Sequence, residues 1–280
     1  MHFQQQQVYR YIMGKKEIFW SATAVAVSYT VGRGILKRID NATGEKGAAA
    51  GIKLMLNERN THTIGVWEGD QAQTQEILAD RTKPSMLVSN HPHSLEPFFL
   101  LAETPDKPNV SIIAKAGGDR LFGEEFRKNI VRVYHPGRFE TQRQKKKRQE
   151  QNKEQMREAE SRLASGGSIL IAPDGGSGRW EGGSVKLFEK ALKLPEAYLV
   201  MANVPDSTEN EHWRLVFKKK LERRVFISRA IKVKDVPLPP EAQTLPEGSK
   251  ERFIVFSKAL QDHYNGWVAR GGYSQSGDKK

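Results

Sequence analysis

From Ser85 to Val233 short apolar runs rich in β-branched residues recur along the chain: Ser85–Ser89, Val110–Ala114, Ile130–Tyr134, Ser168–Ala172, Tyr198–Val204, Leu215–Phe217 and Val225–Val233. Helix-compatible stretches separate many of them, notably Glu140–Ala164 and Val185–Leu192. Parallel strands need crossovers of about ten residues or more, and these gaps supply them. The pattern predicts an α/β fold with a mixed, largely parallel central sheet flanked by helices. Ser249–Asn265 reads as a closing helix, and the GGYSQSGDKK tail as a frayed end. No period of 20–50 residues repeats, which argues against solenoids and propellers.

Upstream the pattern differs. Residues Gly47–Asn57 and Gln71–Ala79 suit helices, so residues 1–80 read as an N-terminal helical region and residues 81–280 as the α/β domain. Ile18–Gly32 is apolar but broken by Ser and Thr, with Lys15, Lys16 and Arg33 at its edges. A helix of that length spans about 22 Å against roughly 30 Å for a bilayer core. It is too short for a membrane span; a core helix is the first expectation and an interfacial helix the second. No convincing cleavage site marks it as a signal peptide.

Composition narrows the class. At 280 residues, 38% hydrophobic and 28% charged, the chain can bury a core, and wholesale disorder is excluded. The absence of cysteine removes disulfides, Cys-ligated zinc, iron–sulfur clusters and a thiol nucleophile. Lys and Arg outnumber Asp and Glu by 45 to 33, a net charge of +12, which calls for an anionic partner. The excess is local: Arg132–Arg148 carries +6 and Arg214–Lys234 carries +8, so the remainder is slightly acidic.

Four segments could carry chemistry. Ser89-Asn90-His91-Pro92-His93-Ser94-Leu95-Glu96-Pro97 follows a predicted strand, and strand ends are where crevices open in α/β sheets. A carboxylate five residues beyond His91 can hold one ring nitrogen and leave the other to take a proton. Ordinary loop chemistry is the alternative, as is a metal site at His91 and His93, for which no third His lies nearby. Ser168 to Trp180 runs from a strand into Asp174-Gly175-Gly176-Ser177-Gly178-Arg179. There the glycines let backbone N–H groups approach an anion and Arg179 can pair with phosphate. Neither a P-loop nor a G-x-S-x-G elbow is present. Ile130 to Arg138 is another strand ending in a basic turn, with His135 and Arg138 as candidate ligands. Gln142–Arg162 is a charged helix, either a solvated face or a docking surface for anionic lipid or an acidic carrier.

In order, these segments resemble the glycerolipid acyltransferase superfamily, over roughly Ser85 to Pro205. Its N-H-x4-D-P hallmark is matched by Asn90, His91, Glu96 and Pro97, with Glu in place of Asp. Ile113-Ala114-Lys115 and Leu121-Phe122-Gly123 follow as expected, then Val131–Arg138, where His135-Pro136-Gly137-Arg138 replaces a basic pair. Pro173-Asp174-Gly175-Gly176 with Arg179 stands for the P-E-G-T-R-like turn, and Asn203-Val204-Pro205 for the last motif. The wording is most similar to the soluble, plastid-type glycerol-3-phosphate acyltransferases, although Ser177 occupies one of their arginine positions. The resemblance implies direct acyl transfer from acyl-CoA or an acyl carrier protein to a phosphoglycerol hydroxyl, with His91 as general base held by Glu96. Arg138, Arg179 and His135, with the Gly175 and Gly176 backbone, would hold the phosphate. It implies no metal and no organic cofactor, and peripheral action on an anionic membrane from the cytoplasmic face or a plastid stroma. Acylation of 1-acylglycerol 3-phosphate is the nearest alternative. A basic RNA- or membrane-binding protein is the non-enzymatic one, though RRM, KH and zinc-finger signatures are absent and aromatics do not interleave with the basic runs, so nucleic acid is not an expected partner.

Overall fold

A computed structural model of the chain describes residues 33–90, 95–107, 109–115, 122–134, 141–173, 180, 182–205 and 218–271. Ile18–Gly32 and Leu215–Phe217 lie outside the described residues. Eight strands form one sheet in the order β1 (Thr61–Trp67), β7 (Leu221–Ile227), β6 (Tyr198–Asn203), β2 (Ser85–Ser89), β5 (Ser168–Ile171), β3 (Val110–Lys115), β4 (Ile130–Val133). The eighth strand, β8 (Ile231–Lys232), pairs with β6 off this path. From β6 to β4 every neighbouring pair is parallel, and β7 runs antiparallel to β6. The α/β expectation, largely parallel with helices on both faces, is met.

Alternation along the strands builds two cores. Leu87, Leu170 and Val200 face Ile52 and Leu56 of helix α2 (Ala48–Glu58) and Phe99, Leu100 and Leu101 of α4 (Glu96–Glu103). Their neighbours Met86, Val88, Ile169, Ile171, Leu199 and Met201 face the other way. There they meet Ala159 and Leu163 of α6 (Gln142–Ala164), Val185 and Phe188 of α7 (Gly182–Leu192), and Phe256 and Leu260 of α9 (Lys250–Arg270). Strands covered on both faces read as near-continuous apolar runs, which is why these were legible.

The first helix, α1 (Arg33–Lys46), lies on α2, where Gly51 admits the approach: a Cβ there would stand 2.0 Å from the Thr43 hydroxyl. Asp40 of α1 reaches across to cap the short α5 (Glu124–Arg127), accepting from the Glu125 and Phe126 N–H groups at 2.8 and 3.2 Å. α3 (Gln71–Ala79), capped by Asp70, and α8 (Pro240–Thr244) complete the α-helices of the described residues. Among the described residues no helix is long and apolar enough to cross a membrane.

Two segments depart from the pattern. Val225–Val233 is not one strand: β7 ends at Ile227, and β8 leads into a 3-10 turn at Val233–Asp235. The break falls where β6 changes partner, from β7 at Ala202 and Asn203 to β8 at Tyr198 and Leu199. Buried Ser228 bridges the change, its N–H donating to Met201 O and its hydroxyl accepting from Met201 N, both at 2.8 Å. The second is β1, for which the pattern predicts no strand. Thr63 and Gly65 lie against Glu103 of α4, so the covered face is polar or small, and Ile64 is left 44% exposed.

Candidate functional site

The strands that precede the candidate segments are parallel neighbours, so Asn90 after β2, Tyr134 after β4, Pro173 after β5 and Val204 after β6 all leave the sheet at one edge. All five residues of β2 are buried, and the strand sits between β5 and β6. Where it ends, the Asn90 side chain takes over the ladder: Nδ2 donates to Val204 O at 3.1 Å and Oδ1 accepts from Val204 N at 2.9 Å. A carboxamide carries one donor face and one acceptor face, as a peptide group does, so it can pair with a strand while its own backbone turns away. The first and last candidate segments are thereby joined.

The chain re-enters at Leu95 and starts α4 with Glu96 and Pro97. Proline suits the first helical turn because its missing N–H has no partner there in any case. Glu96 is 0% exposed. The first turn is where unpaired N–H groups and the positive end of the helix favour a carboxylate. Phe99, Leu100, Leu101 and Ala102 behind it are buried, so the helix is apolar nearly all round and lies inside the core layer. The pattern did not predict this helix; Glu96-Pro97 before Phe98-Phe99-Leu100-Leu101 was the available signal.

On the other side of β2, Tyr134 is held as Asn90 holds Val204. Asn152 of α6 accepts from Tyr134 N at 2.7 Å and donates to Tyr134 O at 2.8 Å, and Gln155 accepts from Arg132 N at 2.9 Å. Helix α6 thus covers the open edge of β4 with side-chain amides, an edge that otherwise invites pairing with another chain. Its start is fixed by a capping box between Thr141 and Gln144, and its burial is confined to Ala159 and Leu163. At its far end Gly166 takes φ +85°, and a Cβ there would stand 2.2 Å from Arg81 O, so only glycine fits this turn into β5. After β5, Pro173 is buried, and Trp180 is buried with its carbonyl accepting from the Ser257 hydroxyl of α9 at 2.8 Å. Of the candidate site residues, Glu96 is described; His91, His135, Arg138, Gly175, Gly176 and Arg179 lie outside the described residues.

Three charged side chains are buried among the described residues: Arg59, Glu96 and Lys107. Lys107 lies at the amino end of the strands, where Nζ donates to Lys83 O at 3.2 Å. Burial pushes its pKa down to about 8, against a smaller opposing pull from Asp80. Arg59, directly after α2, is 2% exposed, and burial holds its pKa below the ordinary arginine value despite Glu58. The sequence contains no signal that singles it out.

No protein-family model matches the chain, and no curated protein matches it. Among solved structures, the crystal structure of the 1-acyl-sn-glycerophosphate (LPA) acyltransferase PlsC from Thermotoga maritima aligns with 94% of this chain and 99% of its own. The identity is 15% and the TM-score 0.46.

Proposed function

We propose that the chain is a glycerolipid O-acyltransferase that moves a fatty acyl group from acyl-CoA or an acyl carrier protein to a hydroxyl of glycerol 3-phosphate. The observation that carries this reading is the junction at the end of β2. Asn90, which precedes His91, pairs through both amide atoms with Val204, the middle residue of the last motif. Five residues beyond His91, a carboxyl group is fully buried in the first turn of a helix. Motifs recognised by their order along the chain thus leave one edge of one sheet.

In this mechanism His91 takes the proton of the acceptor hydroxyl while Glu96 stabilises the imidazolium that forms. The alkoxide attacks the thioester carbonyl, the C–S bond breaks, and the departing thiolate recovers the proton from His91. Arg138, Arg179 and His135, with the N–H groups of Gly175 and Gly176, hold the acceptor phosphate and so fix which hydroxyl stands at His91. The enzyme works peripherally on an anionic membrane, from the cytoplasmic face or a plastid stroma, and the basic face at the start of α6 supplies the attraction.

The test is acyl-thioester consumption with glycerol 3-phosphate and, in parallel, 1-acylglycerol 3-phosphate. Turnover is expected with glycerol 3-phosphate, falling about 10²–10⁴-fold in His91→Ala, with a smaller loss in Glu96→Gln. A higher kcat/KM for the acylated acceptor moves the assignment to the second acylation step. Absence of turnover with both, together with a His91→Ala variant indistinguishable from wild type, removes the reading.

A further inference from the structure

Two exposed basic clusters sit where elements begin. Arg143, Lys146 and Lys147 are exposed in the first two turns of α6, and no acidic residue falls between Gln142 and Gln149. The ion pairs within α6 begin further on, at Glu150 and Lys153. Lys218, Lys219 and Lys220 are exposed immediately before β7, and Arg224 is exposed within it.

The pairing register sets their heights. Ser89, the last residue of β2, pairs with Ala202, and Ala202 pairs with Ile227. β7 runs antiparallel to β6, so its earlier residues stand beyond the carboxyl edge of β2, Leu221 by six strand steps or about 20 Å. On the other side Val88 pairs with Ile171, Leu170 with Ile112, and Ile112 with Ile130, which brings Arg132 level with Ser89. Asn152 sits at Tyr134, about 7 Å beyond that level. Gln155 sits at Arg132, so α6 runs antiparallel to β4 and its start points away from the sheet. The nine helical steps from Asn152 back to Arg143 add about 13 Å. Both basic starts therefore stand about 20 Å past the end of β2. Five strand spacings, about 24 Å, separate β7 from β4, and the segments that follow β2, β5 and β6 leave the sheet between them.

A partner that meets both clusters at once is anionic, broad and flat. A single phosphate cannot span the gap, whereas a bilayer with acidic headgroups does, and each basic side chain held near it adds to the attraction. Among the described residues the exposed large apolar side chains are Ile64 and Ile254, and neither lies at these tips: Ile64 pairs with Arg224, three steps short of Leu221. Contact at the tips is thus electrostatic, and salt screens it.

We propose that the starts of α6 and β7 are two prongs of one docking surface for an anionic lipid bilayer, set at equal height so that the carboxyl edge of β2 faces the headgroups. The proposal deepens the acyltransferase reading by naming where the protein meets the membrane. It rests on that reading for the purpose of the contact; vesicle binding is measured without turnover.

Binding of the full chain is measured by sedimentation with vesicles of one part phosphatidylglycerol to two of phosphatidylcholine, and with phosphatidylcholine alone. Wild type is expected to bind the acidic vesicles at least tenfold more tightly than the neutral ones and to be released as salt rises. Two triple variants at exposed positions, one carrying Arg143→Gln, Lys146→Gln and Lys147→Gln and the other Lys218→Gln, Lys219→Gln and Lys220→Gln, should each lose at least tenfold. Affinity within twofold of wild type in the second variant overturns the proposal, as does equal binding to neutral vesicles. So does a wild type that ignores both vesicles and binds an acidic carrier protein through these residues. Orientation has its own readout, because the chain contains no cysteine and single labels can be placed. A fluorophore on Gln142→Cys or Glu222→Cys should be dimmed by a lipid-borne quencher, and one on Arg81→Cys, exposed just before β2, should not. Quenching at Arg81→Cys in place of the other two overturns the proposal. Vesicle binding through both prongs with no acyl transfer upholds the surface and removes the enzyme reading, and turnover on dispersed substrates without vesicle binding does the reverse.

Discussion

The Asn90 side chain is paired through both its donor and its acceptor to Val204. Truncating it leaves an N–H and a carbonyl at the end of β6 without partners. Asn90→Ala is expected to destabilise the fold by about 1–3 kcal/mol, seen as a lower denaturant midpoint with an unchanged m-value. Asn90→Asp keeps the acceptor and loses the donor, and should fall between the two. Lys107 sets a different test at the same scale. Its folded pKa of about 8 lies below the ordinary 10.5, so between those values the unfolded chain holds the proton that the folded chain has lost. Stability therefore rises as pH climbs from about 8 toward 10.5. Lys107→Met should flatten that rise and raise Tm at pH 7. Parallel Tm–pH curves for the two proteins, measured from pH 7 to 10, would refute the assignment.

At the scale of elements, α6 does two jobs with one face. Ala159 and Leu163 bury its second half, while Asn152 and Gln155 occupy the open edge of β4. Asn152→Leu should loosen Tyr134 and the edge together. The expected outcome is faster amide exchange at Arg132 and Tyr134 and greater aggregation on mild heating, with the β2 amides unchanged. Most elements were legible because their apolar positions face a core. β2, β5 and β6 are apolar on both faces, and α6, α7 and α9 begin within a few residues of where composition suggested. β1 was hidden because its covered positions hold Thr61, Thr63 and Gly65 while Ile64 points outward. α4 was hidden by brevity, its eight residues giving little room for a helical period. The Val225–Val233 run misled because residue type does not reveal where a neighbouring strand changes partner.

At the scale of the whole molecule, sequence order and spatial order agree around β2 and disagree at the β1–β7 edge. The motifs from Asn90 to Pro205 could be ordered by eye, since each follows an apolar strand. Glu96 was legible among them as a residue at fixed spacing from His91. The burial of Arg59 was not, since a lone arginine after a helix carries no local mark. The charge excess also resolves by position. Lys218–Lys220 are exposed immediately before β7, and the basic start of α6 is largely exposed ahead of Asn152, which pairs with Tyr134 at the end of β4.

The reversed edge has a consequence for how the protein is made. Thr61 pairs with Leu221, some 160 positions later. At synthesis rates of roughly 5–20 residues per second, β1 waits on the order of 10–30 s for its partner to leave the ribosome. Every other parallel pair of the sheet can close before then. The molecule thus emerges with the strand ends of its candidate site assembled from the middle of the chain and its first strand unsatisfied. A nascent chain stalled short of β7 would hold the strand ends of the site while β1 still lacks its partner.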